Sequence, residues 1–280
     1  MVADGVGMRP LSVLLAVFIV LIQAFAVPVF ANIIDGSDDR GALTALGPKL
    51  GLSPAEIARI RQVSGHVACF GANPALASGA LFLSNGLVLT AAHTFFEGGT
   101  RATKCFFRPQ AAGADWVPLK TDAANARFGA VPPKPGSNND WAVLRLARPI
   151  AGATPFPPAT TRPRAGEALI ALTAHPADME ALDPAMPVVR GCIVRRVPVS
   201  SGKTNFYRSD CDAVGGASGG MHLARVGGSL VFRAITISTG PWRDPALHGA
   251  PYNEKAGSVT TALETSAAIL AAARSLLHGK

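Results

Sequence analysis

From His66 onwards the chain breaks into short apolar or alternating runs separated by Gly, Asn and Pro. His66–Phe70, Gly79–Leu83, Leu87–Leu89, Lys104–Arg108, Val117–Lys120 and Trp141–Leu146 each have the length and alternation of a half-buried strand, which predicts an all-β unit of about six strands. Residues 150–166 are rich in Pro, Ala, Thr and Gly and read as a crossover. The style then repeats: Ala168–Thr173, Val188–Val197, Asn205–Arg208, Met221–Val226, Leu230–Ile237 and Gly257–Thr261 predict a second all-β unit. Helical signals flank this core. Ser53-Pro54-Ala55-Glu56 is a capping box with proline at the first helical position, and Ala-rich Thr261–Leu277 predicts a terminal helix.

Ahead of that pattern, Leu11–Val27 is apolar except for Ser12 and Gln23, and it follows Met8-Arg9. Val29-Phe30-Ala31 places small residues where a signal peptidase reads them, so residues 1–31 are expected to be an export signal and Asn32 the mature N-terminus. The rival is an uncleaved anchor, because the stretch approaches the roughly 18 to 20 residues that span a bilayer. Only with such an anchor would a membrane be a partner. Export, to a secreted or periplasmic location, suits the four cysteines, Cys69, Cys105, Cys192 and Cys211. They allow three complete pairings and show no metal-ligand spacing, so two disulfides are expected and no metal.

Composition narrows the class further. With 49% hydrophobic and 16% charged residues the chain can pack a core, and its net charge of +8 is scattered rather than gathered with aromatics into a nucleic-acid surface. No specific nucleic-acid partner is expected.

Gly215-Gly216-Ala217-Ser218-Gly219-Gly220 sets a serine in a glycine-rich turn. A serine hydroxyl needs a base to take its proton and an acid to orient that base. Leu89-Thr90-Ala91-Ala92-His93 ends an apolar run in a histidine, and Asn139-Asp140-Trp141-Ala142-Val143-Leu144 opens another with an aspartate. His93, Asp140 and Ser218 thus form a candidate catalytic set in chain order His, Asp, Ser, with the N–H groups of Gly216 and Ser218 as candidate oxyanion donors. Singly, each has a plainer role as core histidine, turn cap or loop serine. Joint occurrence beside strand ends favours catalysis. His66, His175, His222, His248 and His278 lack such context and read as structural or surface residues.

The segments "SGALFLSNGLVLTAAH", "NNDWAVLRL", "GGASGG" and "ITISTG" together resemble the histidine, aspartate, serine and cleft-strand segments of trypsin-like (chymotrypsin-fold) serine peptidases. "IIDGSDDRG" with "CDAVGGASGG" resembles the bacterial secreted branch near the glutamyl endopeptidases. The resemblance runs from about Ile33 to the C-terminus. It implies two six-stranded antiparallel β-barrels with a C-terminal α-helix on the second. The units would be an N-terminal extension at 32–64, barrels at 65–149 and 167–280, and a linker at 150–166.

The resemblance also implies a Cys69 to Cys105 bridge around the histidine segment and a Cys192 to Cys211 bridge bracing the serine turn. It places Ser238 next to the aspartate, Asp212 at the floor of the specificity pocket, and Gly240 and Gly257 as the small residues keeping that pocket open. A carboxylate at the floor would favour Arg or Lys in the substrate. Glutamyl preference is disfavoured, since Ile237 and Thr239 stand where a histidine would be expected. Ala217 replaces the aspartate that pairs with a new N-terminal amine in activated relatives, so chains starting at Ala31, Asn32 or Ile33 are expected to turn over alike. The implied function is a monomeric serine endopeptidase acting on protein or peptide substrates without a cofactor. Two alternatives stay open: an inactive binding module on the same fold, and an α/β-hydrolase built on Ser218, Asp244 and His248.

Overall fold

The computed structural model describes residues 32–70, 74–97, 99–174, 176, 178–179, 183, 185–198, 205–240 and 244–278. The expected export segment and His175 lie outside the described residues. In chain order the strands are β1 (Gly41–Ala42), β2 (Ser64–Phe70), β3 (Ala75–Phe82), β4 (Ser84–Thr90), β5 (Phe96–Glu97), β6 (Thr100–Arg101), β7 (Lys104–Pro109), β8 (Val117–Lys120), β9 (Ala126–Phe128) and β10 (Ala142–Leu146). The second half adds β11 (Ala168–Thr173), β12 (Val188–Arg196), β13 (Phe206–Ser209), β14 (Met221–Val226), β15 (Ser229–Thr239) and β16 (Thr260–Glu264).

Two antiparallel sheets close on themselves. The order β4-β3-β2-β7-β8-β10 returns from β10 to β4, with β9 appended to β10. The order β12-β11-β14-β15-β16-β13 returns from β13 to β12, with β1 appended to β12. Each is therefore a six-stranded barrel carrying one short extra strand, and closure leaves few free edges. The barrels meet through apolar side chains: Phe82 on β3 and Phe232 on β15, both fully buried, pack edge to face at 5.4 Å. The linker is fastened to the same place, since Phe232 N–H donates to the Pro157 carbonyl and Ala159 N–H to that of Phe232.

The helix at Pro54–Val63 starts as its capping box predicts. Ser53 Oγ accepts from Glu56 N–H, the Glu56 carboxylate accepts from Ser53 N–H, and Ile60 and Val63 are buried. The cap contributes about 1 kcal/mol. The segment before it is no loose arm. Asn32 and Ala213 exchange two backbone hydrogen bonds, and β1 pairs with β12, so residues 32–42 strap the second barrel.

The C-terminal helix departs from expectation twice. It spans Ala267–His278, because residues 261–264 belong to β16, where pairing with β15 and β13 completes the barrel and overrides the helix preference of the Ala-rich run. Its contacts concentrate on β9 and β10, so it packs on the first barrel rather than the second, with Ile269, Ala273 and Leu276 buried. No helix among the described residues is long and apolar enough to cross a membrane.

The sulfurs of Cys69 and Cys105 are 2.10 Å apart and join paired β2 and β7. Those of Cys192 and Cys211 are 2.04 Å apart and tie β12 to the segment leading to the serine turn.

Candidate active site

Strand register brings His93 and Asp140 together. In the antiparallel pairing of β4 with β10, Thr90 faces Ala142, so the residues just past Thr90 and just before Ala142 emerge at the same barrel end. There a 3-10 turn, Ala92–Phe95, carries His93. Asp140 is fully buried, and its carboxylate is held on three sides. His93 N–H donates to Oδ1 at 2.9 Å; His93 Nδ1 and Gly136 N–H lie 2.7 Å from Oδ2. An ionised carboxylate only accepts, which places a proton on Nδ1 and leaves Nε2 as the acceptor. Nε2 lies 2.9 Å from Ser218 Oγ.

Ser218 comes from the second barrel, and its turn is pressed against the first. Ser78 N–H donates to the Ser218 carbonyl at 2.9 Å, and Gly219 N–H donates to Thr236 O at 2.7 Å. Glycine is required at 219: φ is +80°, and a Cβ would stand 2.1 Å from Ser78 O and 2.2 Å from Thr90 Oγ1. Gly216 has φ of +90°. Among the described residues the N–H groups of Gly216 and Ser218 have no acceptor, whereas Ala217 N–H is taken by Val214 O.

The cleft beside Ser218 holds a cavity of about 190 Å³, walled by His93, Pro135 and Gly136 on one side and by Val214, Gly215 and Ile237–Thr239 on the other. A register shift between Thr236 and Ser238 on β15 bends the strand at this wall. Ser238 does not bond Asp140; its hydroxyl donates to Thr239 O, and Gly136 N–H occupies the carboxylate instead. Proline and glycine at 135 and 136, five and four residues before an aspartate, were the available signal for that turn. A second cavity of about 430 Å³ shares Ser238 and Thr239 and adds Arg208, Glu254, Val259 and Thr261. Gly240 and Gly257 line it, but their smallness also serves close packing, since a Cβ on Gly240 would lie 2.0 Å from Gly257 O.

Asp212 lines neither cavity. Its carboxylate accepts from Ile34 N–H at 2.8 Å and Asp39 N–H at 3.2 Å and pairs with Arg190 at 3.0 Å, its side chain wholly buried. Burial pushes its carboxyl up to about 6 against the opposing pull of Arg190. The expected pocket floor is thus an anchor for the N-terminal strap, because the backbone N–H groups of that strap reach the carboxylate first. His222 is likewise structural. Fully buried, it bridges Tyr207 OH at 2.7 Å and Thr236 Oγ1 at 2.8 Å, and burial pushes its pKa down to about 3. Asp244 and His248 sit in the loop around the 3-10 turn Pro245–Leu247, and His93 rather than His248 is the hydrogen-bond partner of Ser218.

Residues 77–231 match the trypsin-like peptidase domain. No curated protein sequence matches the chain. Among solved structures, a glutamyl endopeptidase superposes with a TM-score of 0.59 at 14% identity, covering 85% of this chain and 96% of that one. A thermostable serine protease from an extremophilic microorganism gives 0.57 at 15% identity, over 79% and 99% of the two chains. A protease from Arthrobacter nicotinovorans gives 0.52 at 15% identity, over 77% and 95%. At such identities these structures share the two-barrel architecture.

Proposed function

Because the chain belongs to the trypsin-like peptidase family and is a hydrolase by that membership, we propose that it is an exported serine endopeptidase whose machinery is His93, Asp140 and Ser218. One observation carries the reading. A single hydrogen-bonded chain runs from buried Asp140 through His93 to Ser218, with contacts of 2.7 and 2.9 Å, and it crosses from one barrel to the other.

In this reading Ser218 Oγ attacks a peptide carbonyl while His93 Nε2 takes its proton. The new imidazolium is stabilised by Asp140, which also fixes the ring orientation. Charge developing on the carbonyl oxygen falls to the unclaimed N–H groups of Gly216 and Ser218. His93 returns the proton to the leaving amine, and water then hydrolyses the acyl-enzyme by the same steps in reverse roles. No step calls for a cofactor. The barrels at 65–149 and 167–280 act as one unit, with the substrate in the cleft between them and residues 32–64 as a fixed extension.

Substrates are proteins or peptides, and the enzyme works as a monomer outside the cytoplasm. The apolar N-terminal segment and two cysteine pairs at bonding distance support export. A preference for Arg or Lys resting on Asp212 is dropped, because that carboxylate is already occupied.

The deciding experiment is labelling of the full chain with a fluorophosphonate probe. Labelling is expected in the wild type and absent in Ser218→Ala and His93→Ala. A folded wild type that takes no label supports the inactive binding module instead.

A further inference from the structure

Ser78 lies on β3 of the first barrel, 1% exposed, with each of its polar groups engaged. Its carbonyl accepts from Thr90 Oγ1 at 2.7 Å, and its N–H donates to Ser218 O at 2.9 Å. Its hydroxyl accepts from Ala174 N–H at 2.9 Å, which orients its own proton towards the Gly216 carbonyl at 2.7 Å. One residue of the first barrel therefore holds the carbonyls of both Gly216 and Ser218, whose N–H groups, like that of Gly215, have no acceptor among the described residues.

That coincidence matters because of what the turn lacks. Gly215 and Gly216 permit wide backbone excursions, and buried Ala217 brings no polar side chain to anchor the turn. The remaining bonds of the turn either lie within it, Ala217 N–H to Val214 O and Gly220 N–H to Ala217 O, or tie Gly219 N–H and the Gly220 carbonyl to Thr236 on β15 of the same barrel, and none of these four involves Gly216. The Ser78 hydroxyl is the side chain that ties the Gly216 carbonyl to the other barrel.

We propose that Ser78 is a positioning residue for catalysis: by donating to the Gly216 carbonyl across the barrel junction, its hydroxyl sets the peptide planes of the serine turn so that the Gly216 and Ser218 N–H groups converge on the developing oxyanion. The inference rests on the reading of Ser218 as the nucleophile. It makes the oxyanion site a product of barrel docking, since the first barrel supplies the latch and the second the donors.

The test compares wild type, Ser78→Ala, Ser78→Thr and Gln110→Leu, measuring kcat and KM on a peptide substrate and the affinity of the matching peptide aldehyde. Ser218 Oγ adds to the aldehyde carbonyl, and the resulting hemiacetal oxygen occupies the oxyanion site, so the affinity reports donor alignment. Gln110 Nε2 donates to the carbonyl of Ala174, the residue whose N–H orients the Ser78 hydroxyl, without touching Gly216. Gln110→Leu is therefore a control for structural disturbance.

In Ser78→Ala, kcat and aldehyde affinity are expected to fall together by about tenfold to a hundredfold with KM nearly unchanged, since a misaligned oxyanion donor weakens transition-state binding alone. Ser78→Thr, which keeps the hydroxyl, recovers most of both, and Gln110→Leu lowers stability without lowering aldehyde affinity. Should Ser78→Ala fail to fold, Ser78→Cys, nearly isosteric and a weaker donor, carries the same expectation. Unchanged kcat and aldehyde affinity in a folded variant, or an equal loss in Gln110→Leu, overturns the inference. A wild type that resists fluorophosphonate removes the Ser218 reading itself; a labelled wild type with an unaffected Ser78→Ala removes only the latch.

Discussion

The N–H of Gly136 donates to Asp140 Oδ2 at 2.7 Å, in the place where the resemblance puts the hydroxyl of Ser238. Gly136 has φ of +72°, and a Cβ there would stand 3.1 Å from Ser238 Cβ. Gly136→Ala should therefore cost about 1 to 2 kcal/mol from the left-handed backbone and push the turn away from Asp140. Steady-state kinetics should show kcat lowered about tenfold at similar KM, as for misplacement of a catalytic group. Adding Ser238→Gly, which opens the space, should restore part of it. An additive double mutant would show that Ser238 does not mediate the effect.

Asp140→Asn tests the orientation of His93. An amide can donate as well as accept, so the tautomer with Nδ1 as acceptor becomes available and Nε2 then carries a proton instead of receiving one. The expected loss in kcat is about 10⁴-fold with little change in the fold. A loss below tenfold, measured on the same peptide substrate, would remove Asp140 from the mechanism.

Asp212→Ser should leave the cleavage profile of a peptide library unchanged, because the carboxylate does not reach the cleft. Thermal or denaturant unfolding should instead show a loss of about 3 to 5 kcal/mol, since buried Arg190 would lose its nearest carboxylate, keeping the Asp210 carbonyl and a longer pair to Asp39, and the Ile34 and Asp39 N–H groups would lose their acceptor. A switch in preference at unchanged stability would return Asp212 to the pocket floor.

Chains beginning at Ala31 and Asn32 should match in stability and turnover. One beginning at Ile33 loses the two backbone bonds between Asn32 and Ala213 and should be less stable by about 1 to 3 kcal/mol in denaturant unfolding. Equal stability of all three would mean that the strap begins further along the chain.

His222 makes stability depend on pH with a definite sign. Its folded pKa of about 3 lies below the ordinary 6.5, so between those values the unfolded chain binds a proton that the folded one excludes. The neutral imidazole's contribution is complete above about pH 6.5 and is lost as pH falls towards 3. Unfolding curves for wild type and His222→Gln should run parallel above pH 7. Below pH 6.5 the wild type should lose up to about 1.4 kcal/mol per pH unit relative to the variant. The difference isolates the imidazole from carboxyls such as Asp212, which titrate in both proteins.

Short-range physics lets much of this protein be read along the chain. Alternating apolar runs end where their backbone can no longer pair, so Val117–Lys120, Ala168–Thr173 and Met221–Val226 are strands with the boundaries their patterns suggest. Ser53 and Glu56 announce a helix start because a capping box is complete within four residues. The chemistry of a glycine-flanked serine, a histidine past one strand and an aspartate before another is also local in origin.

Tertiary structure decided what depends on partners distant in sequence. The predicted strand ended and the predicted helix began at Thr261, yet pairing with β13 and β15 extends the strand through Glu264. Asp212 looked available until Ile34, Asp39 and Arg190, drawn from elsewhere in the chain, took its carboxylate. Gly136 and Ser78 carried no chemical label in the sequence. Their importance lies in a backbone N–H and a hydroxyl whose acceptors, Asp140 Oδ2 and the Gly216 carbonyl, become neighbours only when a turn folds back and two barrels dock. A residue's type and local pattern fix what it can donate or accept; which group meets it is set by strand register and barrel packing.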